Sequence, residues 1–249
     1  METCVGTSGW HYKHWRGDFY PAELASADWL RWYALRFDTV ELNASFYRQP
    51  APSAWELWRR QSAPGFTFAV KGSRYITHIK RLAVEQASVD MVMAGARRLG
   101  PHLGPILWQL PPTFRRDALS RQRLARFIAL LPRDARHVFE FRDRSWFVED
   151  TYIELEASGV AVCAFHMPGL ETPLRATSGL LYVRFHGSGT KYGGAYSSEQ
   201  LEDYARRILG CDAGAAFVYF NNDIGGHAPR DAARLRELLG GVSASRAHA

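Results

Sequence analysis

Eight short apolar runs, separated by stretches of helical period, constrain this chain more than any other feature of its sequence. They are Thr3–Gly6, Thr39–Asn43, Phe66–Lys71, Ile106–Leu110, Val138–Arg142, Val160–Phe165, Leu181–His186 and Phe217–Asn221. Each has strand length. The segments between them carry helix signals. Leu124, Phe127, Ile128 and Leu131 recur at helical spacing, and Pro132 ends that run. Ser197 with Gln200 forms a capping box ahead of Leu201, Tyr204, Ala205 and Ile208. Leu99-Gly100-Pro101 closes a helix that begins near Val84, and Pro229 suits the first turn of the last helix. Strands alternating with helices predict parallel βα units. Eight such units in 249 residues predict an α/β fold of the (β/α)₈ type, a single TIM-type barrel. No linker divides the chain, so residues 1–239 read as one domain and residues 240–249 as a flexible tail. The rival, an open doubly wound sheet, calls for a glycine-rich nucleotide turn after the first strand. Gly6-Thr7-Ser8-Gly9 does not supply one.

Composition narrows the function classes. No window approaches the run of about 18 apolar residues that a membrane helix requires. The start, Met1-Glu2-Thr3-Cys4, lacks the basic and apolar regions of a secretory signal. Cys4, Cys163 and Cys211 show neither metal spacing nor an even disulfide set, which points to a reducing cytoplasm. Of 31 basic residues only Lys13, Lys71, Lys80 and Lys191 are lysines. Seven arginines lie between Arg115 and Arg136 against Asp117 and Asp134. Such a cluster is the footprint of a nucleic-acid partner or, more ordinarily, a solvated helix face.

Side chains alternate along a strand, so parity sorts inner from outer positions. Val40 and Leu42 suit the helix-facing side, which turns Glu41 and Asn43 inward. Lys71 ends the third strand on the inner side. The fourth strand turns Leu107 and Gln109 inward, and the fifth turns Glu140 and Arg142. The seventh turns Tyr182, Arg184 and His186, and the eighth Phe217, Tyr219, Asn221 and Asp223. Parity leaves the first and sixth strands open. Polar groups thus gather at carboxyl ends, where barrel enzymes carry their chemistry. The alternative is structural: Glu41 and Glu140 neutralised by Lys71, Arg142 and Arg184 in a buried ion-pair network.

The same residues carry a resemblance. Gly6-Thr7-Ser8-Gly9-Trp10, Phe19-Tyr20-Pro21, Val40-Glu41-Leu42-Asn43 with Ser45-Phe46-Tyr47, and Phe68-Ala69-Val70-Lys71 are similar to the YecE-like family, domain of unknown function 72. Gln109-Leu110-Pro111-Pro112, Glu140-Phe141-Arg142 with Ser145-Trp146-Phe147, Tyr182-Val183-Arg184 with His186-Gly187, and Phe220-Asn221-Asn222-Asp223 extend the likeness, which runs from Val5 to about Leu239. The resemblance implies a TIM-type barrel and names no reaction. Many members carry an acidic residue where the sixth strand ends, and this chain has His166.

Residue chemistry supplies the functional expectations. Glu41 and Glu140 are candidates for general acid and base. Lys71 is a candidate nucleophile or counter-ion, and His186 a proton-transfer group. Arg142, Arg184, Asn43 and Gln109 suit substrate or anion binding. Gly187, Gly189 and Lys191, in the loop after the seventh strand, suit a phosphate, because backbone N–H groups and charge bind anions there. Asn221 and Asp223 border that loop. Trp10, with Tyr12, Trp15, Phe46 and Tyr47, is a candidate aromatic wall. Glu41, Glu140, His186 and Asp223 have the side chains to hold a divalent metal, but no ligand spacing requires one. No nicotinamide, flavin or pyridoxal motif stands out. The expected function is a hydrolase or lyase acting on an anionic, phosphate-bearing small molecule or nucleotide. The alternatives are a nucleic-acid-binding protein or phosphodiesterase, and a non-catalytic ligand-binding barrel.

Overall fold

The computed structural model describes residues 1–246, with side chains through residue 240. In chain order the elements are β1 (Glu2–Thr7), α1 (Trp29–Ala34), β2 (Thr39–Leu42), α2 (Ala44–Tyr47), α3 (Pro52–Gln61) and β3 (Thr67–Lys71). A π-helical turn (Tyr75–Ile79) follows, then α4 (Gln86–Ala96), β4 (Leu103–Gln109), α5 (Ala118–Ala129), β5 (His137–Glu140), α6 (Glu149–Ala157) and β6 (Ala161–Met167). The chain ends with β7 (Leu170–Glu171), β8 (Leu180–Phe185), α7 (Ser198–Leu209), β9 (Ala215–Phe220) and α8 (His227–Arg246).

The strands follow one hydrogen-bonded order, β1-β9-β8-β6-β5-β4-β3-β2, and an isolated parallel bridge joins Ser8 to Glu41. This is an α/β fold with a nearly closed parallel sheet of eight strands, similar to a TIM-type barrel. The order departs from a plain count at β7. That strand pairs antiparallel with β6, His166 against Glu171 and Met167 against Leu170, across the turn at Pro168-Gly169. All eight predicted strands are present, but four stop short of their predicted polar ends. Asn43, Arg142, His186 and Asn221 each lie one or two residues beyond the last paired position.

Two compact units make up the chain, Met1–Glu41 with Ala164–Ala249, and Leu42–Cys163. In the first, β1 pairs with β9 from Glu2↔Ala215 to Thr7↔Phe220, and β8 with β9 from Leu180↔Ala215 to Phe185↔Phe220. Gly6 permits a close approach here, since a Cβ on it would lie 2.1 Å from the Thr39 carbonyl oxygen. The capping box of α7 is complete: Ser197 accepts from the Gln200 N–H and Gln200 accepts from the Ser197 N–H. The apolar face of α7, Leu201, Tyr204, Ala205 and Ile208, is buried. Helix α8 runs on to Arg246, past the predicted start of the tail, and residues 247–249 lie outside the described residues.

In the second unit, β3, β4 and β5 pair in parallel, with Lys71 opposite Leu107 and Gln109 opposite Glu140. Asp117 caps α5 by accepting from the Ser120 N–H at 2.7 Å, and Leu124 and Phe127 bury its inner stripe. Among the described residues no helix is long and apolar enough to cross a membrane.

Candidate functional site

In the first unit the carboxylate of Glu41, at the end of β2, is wholly enclosed. Ser8 Oγ donates to Oε1 at 2.8 Å, Arg184 Nη2 to Oε1 at 2.7 Å, and Tyr182 OH to Oε2 at 2.8 Å. Glu41, Arg184, Tyr182 and Ser8 are all buried. Parity brings the last three together: Tyr182 and Arg184 are two apart on β8, and Ser8 follows β1 on the side the sequence left open. Below them Thr39 Oγ1 and Tyr219 OH are 2.6 Å apart. A buried ion pair persists only when further hydrogen bonds satisfy both charges, and Glu41 has three. For Glu41 and Arg184 the geometry is that of the ion-pair network.

His186 follows β8 and is buried, edge-on to Phe165 and Tyr192. Asn221 Nδ2 donates to its Nδ1 at 3.1 Å, which leaves the proton of a neutral ring on Nε2. Gly187 adopts φ +117°, and a Cβ there would lie 2.3 Å from the Thr190 oxygen, so only glycine fits. The loop folds on itself through a Thr190–Gly193 bridge and joins the loop after β9 through Gly193–Ile224. Gly189 and Lys191 are exposed, and the Lys191 ammonium lies 5.2 Å from the Tyr192 ring. Trp10 is buried and takes the Tyr20 hydroxyl on its carbonyl at 2.5 Å, a packing role more than an open wall.

Asp223 is held by two residues that the sequence did not pair with it. Trp15 Nε1 donates to Oδ1 at 2.5 Å and His14 Nε2 lies 2.9 Å from Oδ2. Burial pushes the Asp223 carboxyl up, against the pull of Trp15 and His14. Among the described residues no group of three or more His, Cys, Asp or Glu is placed to hold a metal ion, the quartet Glu41, Glu140, His186 and Asp223 included.

In the second unit a different set gathers. Glu140 ends β5, and Arg142, two residues on, pairs with it through Nε. Cys163 Sγ lies 3.7 Å from Glu140 Oε2. Lys71 ends β3 half-buried, with its ammonium 4.2 Å from the centre of the Phe46 ring and its carbonyl taking Ser45 Oγ at 2.8 Å. His78 packs edge-on against the same Phe46 ring at 5.1 Å. Burial lowers His78 from 6.5 to about 4, and Lys71, Arg74 and Arg142 push the same way against Glu140. Thr77 gives its hydroxyl proton to the Ser73 carbonyl at 3.2 Å. Its oxygen therefore accepts from His78 Nδ1 at 2.9 Å, and Nε2 keeps the lone pair. Gln109 is half-buried and spends its amide on the Leu110 carbonyl at 2.7 Å. Asn43, also half-buried, precedes α2 without capping it through its side chain.

In the sequence His78 is one of several histidines without metal-ligand spacing, and neither it nor Arg74 stands out, because both follow Lys71 in a segment with no strand or helix period. That segment is the π-helical turn, where Lys80 N–H reaches back to the Tyr75 carbonyl at 2.9 Å. Arg81 and Leu82, at φ +48° and +65°, then hold left-handed backbone without glycine. The signal available was polar density: Lys71, Ser73, Arg74, Thr77 and His78 within eight residues.

The arginines between Arg115 and Arg136 lie on and around α5, not at these strand ends. Arg116 reaches Asp150 at 3.5 Å and Glu154 at 3.6 Å, Arg121 pairs with Glu154, and Arg115 lies 3.8 Å from Asp143. These pairs match a solvated helix face.

The profile of the family described as protein of unknown function DUF72 matches residues 4–248. The chain belongs to the DUF72 family. The protein YunF of Bacillus subtilis is 31% identical over 274 aligned residues, which cover 94% of either chain. YecE of Escherichia coli K12 is 30% identical over 117 residues, 47% of this chain and 42% of its own. Among solved structures, a DUF72 protein from Thermotoga maritima superposes with a TM-score of 0.85 at 27% identity, covering 96% of this chain and all of that one. A second, from Enterococcus faecalis, reaches 0.81 at 18% identity, with 96% and 95% covered, and shares the fold. The DUF72 assignment agrees with the resemblance carried by the strand-end motifs, and those relatives carry no named reaction.

Proposed function

We propose that this DUF72 chain is a hydrolase or lyase that binds an anionic, phosphate-bearing small molecule at the carboxyl ends of β3 and β5. Lys71, Arg74 and Arg142 hold the anion. Glu140 and His78 are the proton-transfer groups, with Glu140 also fixing Arg142. The observation that carries this reading is one Phe46 ring holding the Lys71 ammonium at 4.2 Å and the His78 ring at 5.1 Å, with Arg74 heading the same π-helical turn and Arg142 paired to Glu140.

The arrangement makes His78 respond to its ligand. With the anion absent, burial and positive neighbours keep the ring neutral, its Nε2 lone pair ready to accept. A bound phosphate adds negative charge, offsets those cations and raises the ring toward the range where a general base is effective. Solution NMR of the His78 ring tests this. The ring should titrate near pH 4 in phosphate-free buffer and higher with inorganic phosphate. No change on adding phosphate, or phosphate affinity that survives in both Lys71→Ala and Arg142→Ala, would overturn it. Across a panel of phosphate esters, Glu140→Gln and His78→Asn should each reduce turnover about 100-fold or more, as loss of a general acid or base does.

A further inference from the structure

We propose that Tyr47 is a stacking platform beside this anion site, and that the ligand is a nucleoside 5′-monophosphate. The inference rests on the anion-binding reading above and adds what the rest of the ligand is.

Tyr47 ends the short helix α2 and is 79% exposed, although Phe46 before it is buried. Its ring meets Phe46 edge to face, 5.0 Å between centres at 87°. Phe46 in turn carries the Lys71 ammonium at 4.2 Å and the edge of His78 at 5.1 Å. Phe46 is therefore a spacer with the cation on one contact and the exposed ring on another. Those two steps place the Tyr47 ring within about 9 Å of the ammonium, a span that a ribose bridges between base and phosphate. The π-helical turn that supplies His78 also exposes Tyr75 and Ile79, by 46% and 61%. On that turn the Lys80 ammonium lies 5.6 Å from the centre of the Tyr75 ring, a second pairing of a cation with an exposed aromatic ring. Scattered single exposures are ordinary, but an exposed ring two contacts from a cation fits a ligand with a flat apolar face and an anionic end. A flat aromatic base matches a tyrosine ring, and stacking is worth about 1–3 kcal/mol per base, or about 5- to 150-fold in affinity.

Calorimetric titration with inorganic phosphate, ribose 5-phosphate and adenosine 5′-monophosphate separates the two readings. The nucleotide should bind at least about tenfold tighter than ribose 5-phosphate. Tyr47→Ala should erase that margin while moving inorganic phosphate by less than twofold, and Tyr47→Phe, which keeps the ring, should retain it. Lys71→Ala should weaken all three. If phosphate and ribose 5-phosphate bind but the nucleotide binds no tighter, or its margin survives Tyr47→Ala, the base subsite is wrong and the anion site stands. If none of the three binds, the anion reading falls and takes this inference with it.

Discussion

The enclosure of Glu41 shows what one buried carboxylate requires. Its two oxygens take three donors, and Arg184, among the largest fully buried side chains of the protein, is neutralised there. Removing one partner of such a pair leaves a charge with neither water nor a counter-ion, at a cost of about 3–5 kcal/mol. Glu41→Gln should therefore lower unfolding stability by about that amount in urea titration, with little change in the dependence on denaturant. A loss below about 1 kcal/mol would mean that the pair is not buried in solution. Replacing both members, Glu41→Leu with Arg184→Met, should recover much of the loss, since well-packed apolar residues replace buried pairs at low cost. His78 is the opposite case. Its ring is half-buried, and Lys71, Arg74 and Arg142 add to burial in holding it neutral.

At the scale of elements, the strands were legible because each is an apolar run of the right length between turn residues. Their ends were less so. Asn43 and Arg142 lie past the last paired position, while the N–H groups of His186 and Asn221 still reach the neighbouring strands, at the His166 and Phe185 carbonyls, 2.8 and 2.7 Å away. The short β7 was missed because two residues carry no period, although Pro168-Gly169 marks the turn that creates it. The π-helical turn was missed for a related reason: five residues bonded i to i+5 repeat nothing that a hydrophobic pattern reveals. Two substitutions test elements directly. Ser197→Ala removes half of the α7 capping box and should cost about 1 kcal/mol in thermal or urea unfolding. Gly187→Ala forces a Cβ against two backbone oxygens at 2.3 and 2.4 Å in a conformation open to glycine. It should speed amide exchange through residues 187–194, and unchanged exchange would show that the loop relaxes freely.

For the whole molecule, pH dependence of stability follows from histidines held neutral. His137 is buried, accepts Trp108 Nε1 on Nδ1 at 3.1 Å and donates Nε2–H to the Pro132 carbonyl at 3.0 Å. Burial lowers it from 6.5 to about 4. Above pH 6.5 both folded and unfolded forms are neutral and its contribution is intact. As pH falls from 6.5 to 4 the unfolded chain takes up a proton that the folded chain refuses, so stability falls, and below 4 the loss is complete. The total is about 3 kcal/mol at 1.36 kcal/mol per unit. His137→Asn should flatten the stability profile between pH 6.5 and 4 relative to the unsubstituted chain, and an identical slope would refute the assignment. Local order along the chain determined the strand count, the βα alternation and the α7 capping box, because these depend on neighbours a few residues apart. Only the tertiary structure decided partners. Ser8, Tyr182 and Arg184 reach Glu41 from 33, 141 and 143 residues away. Hydrogen bonds over such separations depend on strand register and backbone turns, which leave no period in the sequence. The same holds for the π-helical turn, which sets His78 against Phe46, the ring that also carries the Lys71 ammonium, out of residues that the sequence shows only as a polar stretch.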